Sequence, residues 1–211
     1  MKMRQMKPSV HIVGDSISIQ YGPYLSRSIA PWANYSRKEG HPGGNLDIPM
    51  GANGGPSTHV LEYIQACLEV RRHWNILAIN CGLHDLITEL DGRSRVPIDL
   101  YEKNLEAVFD ICPKIADHTI WITTTGFDEN IHNSIAKDFK RLEAEHQKYD
   151  TVARAVCRRK KIPLADLCQF TFTLPGPLYC DHVHFNETVR EAQGCFLAGY
   201  LKAFWTLKSS A

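Results

Sequence analysis

A chain of 211 residues, 44% hydrophobic and 22% charged, is long enough to bury a sizeable core and is most simply one soluble globular domain. Its formal net charge of +1 sets up no field that favours nucleic acid or an anionic membrane, so neither is expected as a partner. No apolar run reaches the length of a membrane span, and the polar, basic residues 1–8 have no apolar h-region behind them, so a cytoplasmic setting is expected.

Five apolar segments alternate with helical patterns, the signature of a parallel sheet built from βαβ units. Residues 10–13, Val-His-Ile-Val, read as a buried strand that stops at Gly14-Asp15-Ser16. Residues 17–30 carry Ile17, Tyr21, Tyr24, Leu25 and Ile29 at helical spacing despite Gly22 and Pro23. A stretch rich in Gly, Pro and Asn follows over 31–56, with a weak edge strand expected near 32–35 or 46–50. Helix is expected over 57–73, a central strand over 74–80, and a helix over 97–112 opened by Pro97. Residues 119–125 are strongly β-branched and predict a second central strand. Residues 133–160 predict one long helix or two, ending in the basic run 158–161, where cations suit the helix dipole. A short strand at 162–164, a Pro-rich loop and a helix over 187–207 complete a three-layer α/β/α domain with a doubly wound, mostly parallel, five-stranded sheet. No repeat or linker interrupts it.

Seven dispersed cysteines, at 67, 81, 112, 157, 168, 180 and 195, form no CxxC pair. Reduced and mostly buried thiols are expected, and a cysteine-built zinc site is not.

In an open α/β sheet the residues just past the strands converge on one rim, where ligands bind. Four groups stand there: Gly14-Asp15-Ser16, Asn53-Gly54-Gly55-Pro56-Ser57, Cys81-Gly82-Leu83-His84-Asp85, and Asp181-His182-Val183-His184. Acyl transfer needs a nucleophile, a base, a carboxylate to orient the base, and donors for the oxyanion. Ser16, His184 and Asp181 can fill the first three roles. The Ser16 and Gly55 amides and the His84 side chain can supply the donors. Each residue also has a plainer reading. Asp15 or Ser16 can be a helix N-cap, and Asp181 can cap the last helix. His184 can be a satisfied structural histidine, the glycines can serve a turn, and Asp85 can cap a short helix beginning at Leu86.

Taken together and in this order, the four groups resemble the sequence blocks of the SGNH hydrolase superfamily, the GDSL-type esterases and lipases. Gly14-Asp15-Ser16 resembles its first block. Gly55, with Gly54 as the other register, resembles the second-block glycine. Gly82-Leu83-His84-Asp85 resembles its Gly-x-Asn-Asp block, and Asp181-His182-Val183-His184 its Asp-x-x-His block. The resemblance spans residues 14–184. It implies a flavodoxin-like fold and a cofactor-free serine esterase with Ser16, His184 and Asp181 as triad. Ser16, Gly55 and His84 would form the oxyanion hole, supported by Asp15, Asp85 and Gly54. The implied substrate is a small-molecule or carbohydrate ester with a short acyl group, such as acetyl. One departure stands out, because the family's asparagine is His84 here. Gly82-Leu83-His84-Asp85 nevertheless resembles Gly-Leu-His-Asp segments of some bacterial SGNH-like hydrolases, and a neutral imidazole can donate one hydrogen bond as the correct tautomer.

Two other classes remain open at this point. One is a non-catalytic carbohydrate-binding or interaction protein on the same fold, motivated by His84. The other is a metal-dependent phosphoesterase using His182 and His184 with Asp15, His84 and Asp85. Cys81 and Cys180 border the site and are expected to pack rather than react. Trp32, Tyr35, His41 and Asn45 are further candidates to line the cleft. Oligomeric state is left open.

Overall fold

The computed structural model describes residues 6–209; residues 1–5, on which much of the expectation about the N-terminus rests, lie outside them. In chain order the first elements are β1 (Ser9–Val13), α1 (Ser16–Ile29), β2 (Asn34–Arg37), α2 (Ser57–Glu69), β3 (Trp74–Ile79), β4 (Thr88–Glu89) and α3 (Ile98–Ile111). They are followed by β5 (Ala116–Ile122), α4 (Glu129–Ile135), β6 (Phe139–Lys140), α5 (Glu143–Lys160), β7 (Leu164–Ala165), α6 (Leu167–Phe172) and α7 (Glu187–Ser209).

Strands β2-β1-β3-β5-β7, in that order, form one sheet in which every pairing is parallel. This is the doubly wound arrangement expected from the alternating pattern. β1 lies inside the sheet, and Val10, Ile12 and Val13 are fully buried, as β-branched residues on a two-sided strand should be. Helices α1, α6 and α7 pack together as one layer, and α2, α3 and α5 as the other. No helix among the described residues is long and apolar enough to cross a membrane.

The departures from expectation have local causes. The edge strand is β2, at the first of the two expected places, and 46–50 is loop. β5 begins earlier than the β-branched run suggests, since Ala116 and His118 pair with Trp74 and Ile76. The threonines 123–125 lie beyond it as a buried rim. The long helical pattern over 133–160 is broken because Phe139 and Lys140 pair antiparallel with Glu89 and Thr88. The Asn133 side chain closes that break by bonding both the N–H and the carbonyl of Arg141. α6 forms where loop was expected, capped by Asp166, whose side chain accepts from Gln169 N. No helix starts at Leu86. The basic run does end α5, with Arg159 bonded to Glu102 and Glu106 and Lys160 to Asp110, all on α3.

Two contacts fix the parts that matter later. The first is the approach of α1 to α7, where Gly194 faces Tyr21, Tyr24 and Leu25. A Cβ at Gly194 would lie 2.7 Å from Tyr24 Cβ and 2.8 Å from the Leu25 nitrogen, so the helices meet nearly backbone to backbone. The second is Asp85, fully buried in the loop after β3. The N-cap position of α2 is Pro56, which has no side-chain acceptor, and Asp85 takes over: its two oxygens accept the Ser57 N–H at 2.8 and 3.0 Å. Burial is the largest influence on this carboxyl and pushes it up to about 7, against the hydrogen bonds from Ser57.

In an open helix, Gly→Ala adds up to about 1 kcal/mol of stability. Gly194→Ala is expected to cost about 1–3 kcal/mol instead, because the methyl overpacks the α1–α7 contact. Urea unfolding reads the sign directly. Asp85 gives a pH test. Its folded value of about 7 lies above the ordinary carboxyl value, so the native state holds a proton that the unfolded chain releases. Its contribution is therefore full at low pH and is lost as pH rises through about 7. Wild type is expected to gain stability relative to Asp85→Asn on going from pH 8 to pH 5, and parallel pH curves would contradict this.

Candidate active site

Ser16 is the first residue of α1 and is nearly buried, so its N–H belongs to the unpaired first turn of that helix. Asp15 is the N-cap, with its side chain accepting the Ile17 N–H at 3.0 Å. Burial raises the Asp15 carboxyl above its usual range, against that hydrogen bond. The cap is thus Asp15, and the candidate nucleophile Ser16 follows it as the first helical residue.

Asp181 and His184 lie in a loop pinned by an antiparallel bridge between Tyr179 and Phe185, with the Cys180 N–H donating to the His184 carbonyl at 2.9 Å. Asp181 Oδ1 accepts the N–H groups of Val183 and His184, at 2.8 and 2.6 Å. Its Oδ2 lies 2.8 Å from His184 Nδ1, and His184 Nε2 lies 3.0 Å from Ser16 Oγ. The partial burial of Asp181 opposes ionisation, but the two N–H groups and the His184 ring outweigh it and hold the carboxyl below its usual range. A carboxylate on Nδ1 calls for a proton there, which leaves Nε2 as the acceptor facing the serine hydroxyl. Asp181 does not cap α7. That is done by Asn186, whose side chain accepts the Val189 N–H.

The two glycines divide. The Gly54 N–H donates to the Gly14 carbonyl at 2.8 Å, and a Cβ at Gly54 would lie 3.1 Å from that oxygen. Gly54 is thus the close-approach residue that ties its loop to the end of β1. Gly55 has φ +67°, the left-handed region that favours glycine. Its N–H is held at 3.0 Å by the side-chain oxygen of Asn53. Neither glycine N–H is free, a point that only the Asn-Gly turn chemistry of residues 53–55 could have signalled.

His84 follows Gly82, which has φ +137° and meets Thr124 so closely that a Cβ would lie 2.7 Å from its hydroxyl oxygen. The His84 ring is 1% exposed and its Nδ1 has no hydrogen-bond partner. Burial, reinforced by the charges of Arg141, Arg95, His59 and His184, holds His84 down to about 3, so it is neutral near pH 7.

His182 does not join His184 as a ligand pair. Its Nδ1 lies 2.7 Å from His132 Nδ1, and its Nε2 lies 3.3 Å from Asp47 Oδ2. Among the described residues no group of three or more His, Cys, Asp or Glu side chains could hold a metal ion. His132, Asp47 and the buried Arg141 were not legible as site residues. Arg141 sits among Lys140, Leu142 and Glu143 with nothing to mark it as internal, and Asp47 lies in the Gly/Pro/Asn-rich stretch.

Other candidates go elsewhere. Trp32 lies under the Lys202 ammonium of α7, and Tyr35 stands beside Gly22. His41 and Asn45 accept from the nearby Gly43 and Asp47 N–H groups. Cys81 is buried, with its thiol pushed well up by burial, as expected of a packing cysteine. Cys180 corrects the expectation, being exposed and accepting from Arg190. The other exposed thiol is Cys195, and Cys67, Cys112 and Cys157 are buried.

No protein-family model matches the chain, and no curated protein matches it. Solved structures do. A lipase/acylhydrolase from Enterococcus faecalis is 19% identical with a TM-score of 0.69, over 94% of this chain and 96% of its own. The acetyl xylan esterase AlAXEase is 15% identical with a TM-score of 0.65, over 91% and 98%. A member of the lipolytic protein G-D-S-L family from Veillonella parvula is 16% identical with a TM-score of 0.63, over 91% and 96%. The fold of this chain is that of the SGNH, or GDSL-type, hydrolases.

Proposed function

We propose that the chain is a serine esterase that hydrolyses a carboxylic ester through an acyl-enzyme, without a cofactor. The observation that carries this reading is the unbroken line of hydrogen bonds Asp181–His184–Ser16, formed by residues from opposite ends of the chain. His184 Nε2 takes the proton of Ser16 as Oγ attacks the ester carbonyl, and Asp181 stabilises the imidazolium that forms. His184 then gives the proton to the leaving alcohol. Water enters by the same route and releases the acid.

The developing oxyanion is held by the Ser16 N–H at the start of α1 and by the neutral imidazole of His84. A neutral donor is the right choice beside a base that becomes positive, since a charged His84 would oppose protonation of His184. The Gly55 N–H joins once Asn53 yields it or shares it. Asp15 and Asp85 act through backbone: one opens α1 at the nucleophile, and the other opens α2 next to Gly55.

A short acyl group, including acetyl on a carbohydrate, is the substrate reading we favour within this class. It is supported by the close burial of Ser16 and His184 and by the likeness to an acetyl xylan esterase.

A fluorophosphonate probe followed by mass spectrometry is expected to label Ser16, with 4-nitrophenyl acetate hydrolysis lost in Ser16→Ala. Labelling at another residue, or activity that survives the substitution, would overturn the mechanism. His84→Ala is expected to lower kcat by about 100- to 1000-fold, with much of it restored by His84→Asn. Because His84 titrates near 3, the pH profiles of wild type and His84→Asn should superimpose between pH 5 and pH 8. A limb present in wild type and missing in His84→Asn would show that His84 changes charge in that range.

A further inference from the structure

The esterase mechanism leaves one charge unexplained. Arg141 is 1% exposed, and among the described residues no carboxylate oxygen lies within 4.0 Å of its guanidinium. Its Nε donates to the Leu83 carbonyl, next to His84, at 3.3 Å. Its Nη1 donates to His132 Nδ1 at 3.3 Å, and the guanidinium lies over the Phe139 ring at 5.2 Å. Burial brings Arg141 down only to about 10, so it remains a cation at neutral pH. A buried cation without an ion-pair partner is costly, and sites where proteins keep one are sites where an anion is expected.

The nearby carboxylates are committed elsewhere. Asp15 accepts from Ile17, Asp85 from Ser57, and Asp181 from Val183 and both ring and backbone of His184. Asp47 is different. It reaches the cluster only through His182, at 3.3 Å, longer than a charge-assisted hydrogen bond, and both groups keep some contact with solvent. The order across the cluster is Arg141, His132, His182, Asp47. His132 accepts from Arg141 on Nδ1 and is neutral, held down to about 3 by burial first and then by Arg141 and His182. His182 Nδ1 therefore donates to it, and Nε2 faces the outer carboxylate as a donor when the ring carries both protons. The His182 ring stands 6.5 Å from that of His184, so this seat adjoins the reacting centre.

We propose that the ester taken by this site carries a carboxylate close to its scissile carbonyl, which seats on His182 with Arg141 behind it, in the place the Asp47 side chain now occupies. This rests on the esterase reading. The Asp47 side chain is the stand-in that defines the seat. Binding exchanges one carboxylate for another, so the net charge of the cluster is the same with or without substrate. His182 and Arg141 are specificity residues in this scheme and take no part in proton transfer.

Two pairs of esters test it: 4-nitrophenyl hydrogen succinate against 4-nitrophenyl butyrate, and 4-acetoxybenzoate against phenyl acetate. Wild type is expected to favour the anionic member of one pair by about ten- to a hundredfold in kcat/KM, the worth of one charge-assisted hydrogen bond. His182→Gln should shrink that preference, and Asp47→Asn should enlarge it by removing the competing carboxylate. Equal or lower kcat/KM for both anionic esters overturns the proposal while leaving the esterase reading intact. If no ester is hydrolysed, the esterase reading fails, and the seat is read separately by titrating Ser16→Ala protein with monomethyl succinate and with methyl butyrate. Saturable binding of the first alone, with shifts at the His182 ring signals, supports the seat. Binding of neither, or of both alike, overturns it.

Discussion

Ser16 and His184 lie 168 residues apart, and what brings them within 3.0 Å is the packing of α1 on α7. Ser16 opens α1, and α7 begins three residues after His184. The Ser16–His184 distance is therefore set by how closely two helices can approach. Gly194 permits the approach, since any Cβ there would meet the backbone and first side-chain atoms of α1. Contacts at the exposed side of the same interface, Tyr24 with Glu187 and Arg27 with Glu191, hold the register, although surface pairs of this kind add little energy by themselves. The sheet supplies the rest, because β1 ends at Val13 and the chain enters α1 at Ser16.

Around this centre charge is managed by neutralising some groups and by closing others with backbone N–H donors. Asp181 is kept ionised by two N–H groups and a ring nitrogen. His84 and His132 are kept neutral mainly by burial. The result is a site with few free charges, in which any hydrogen bond acts in a poorly screened environment. Arg141 is the exception, a buried cation.

What could be read from the sequence was whatever depends on neighbours along the chain. β1 and β3 announce themselves by Val, Ile and Leu runs that stop at glycine or asparagine. The four blocks are local too, each a strand end or a turn, and their order survives folding. What could not be read depends on partners far away. Asp85 looks like a cap for the residue after it, yet it caps a helix 28 residues earlier. The pattern over 133–160 is helical in period, but a short hairpin with Thr88 and Glu89 breaks it, and that break buries Arg141. Cys180 is exposed beside the bridge of Tyr179 with Phe185, a pairing that its neighbours along the chain do not announce.

The grip of Asp85 on Ser57 has a mechanical meaning. Gly55 and His84 come from loops at the ends of different segments, and they would drift independently if each loop were anchored only to its own strand. One carboxylate, one residue from His84 and two residues from Gly55 by way of the Ser57 N–H, fastens the loops into a single jaw. The other jaw is α1 with its serine. Such a device trades adaptability for a fixed gap: the spacing between the Gly55 and His84 loops is set before any ligand arrives.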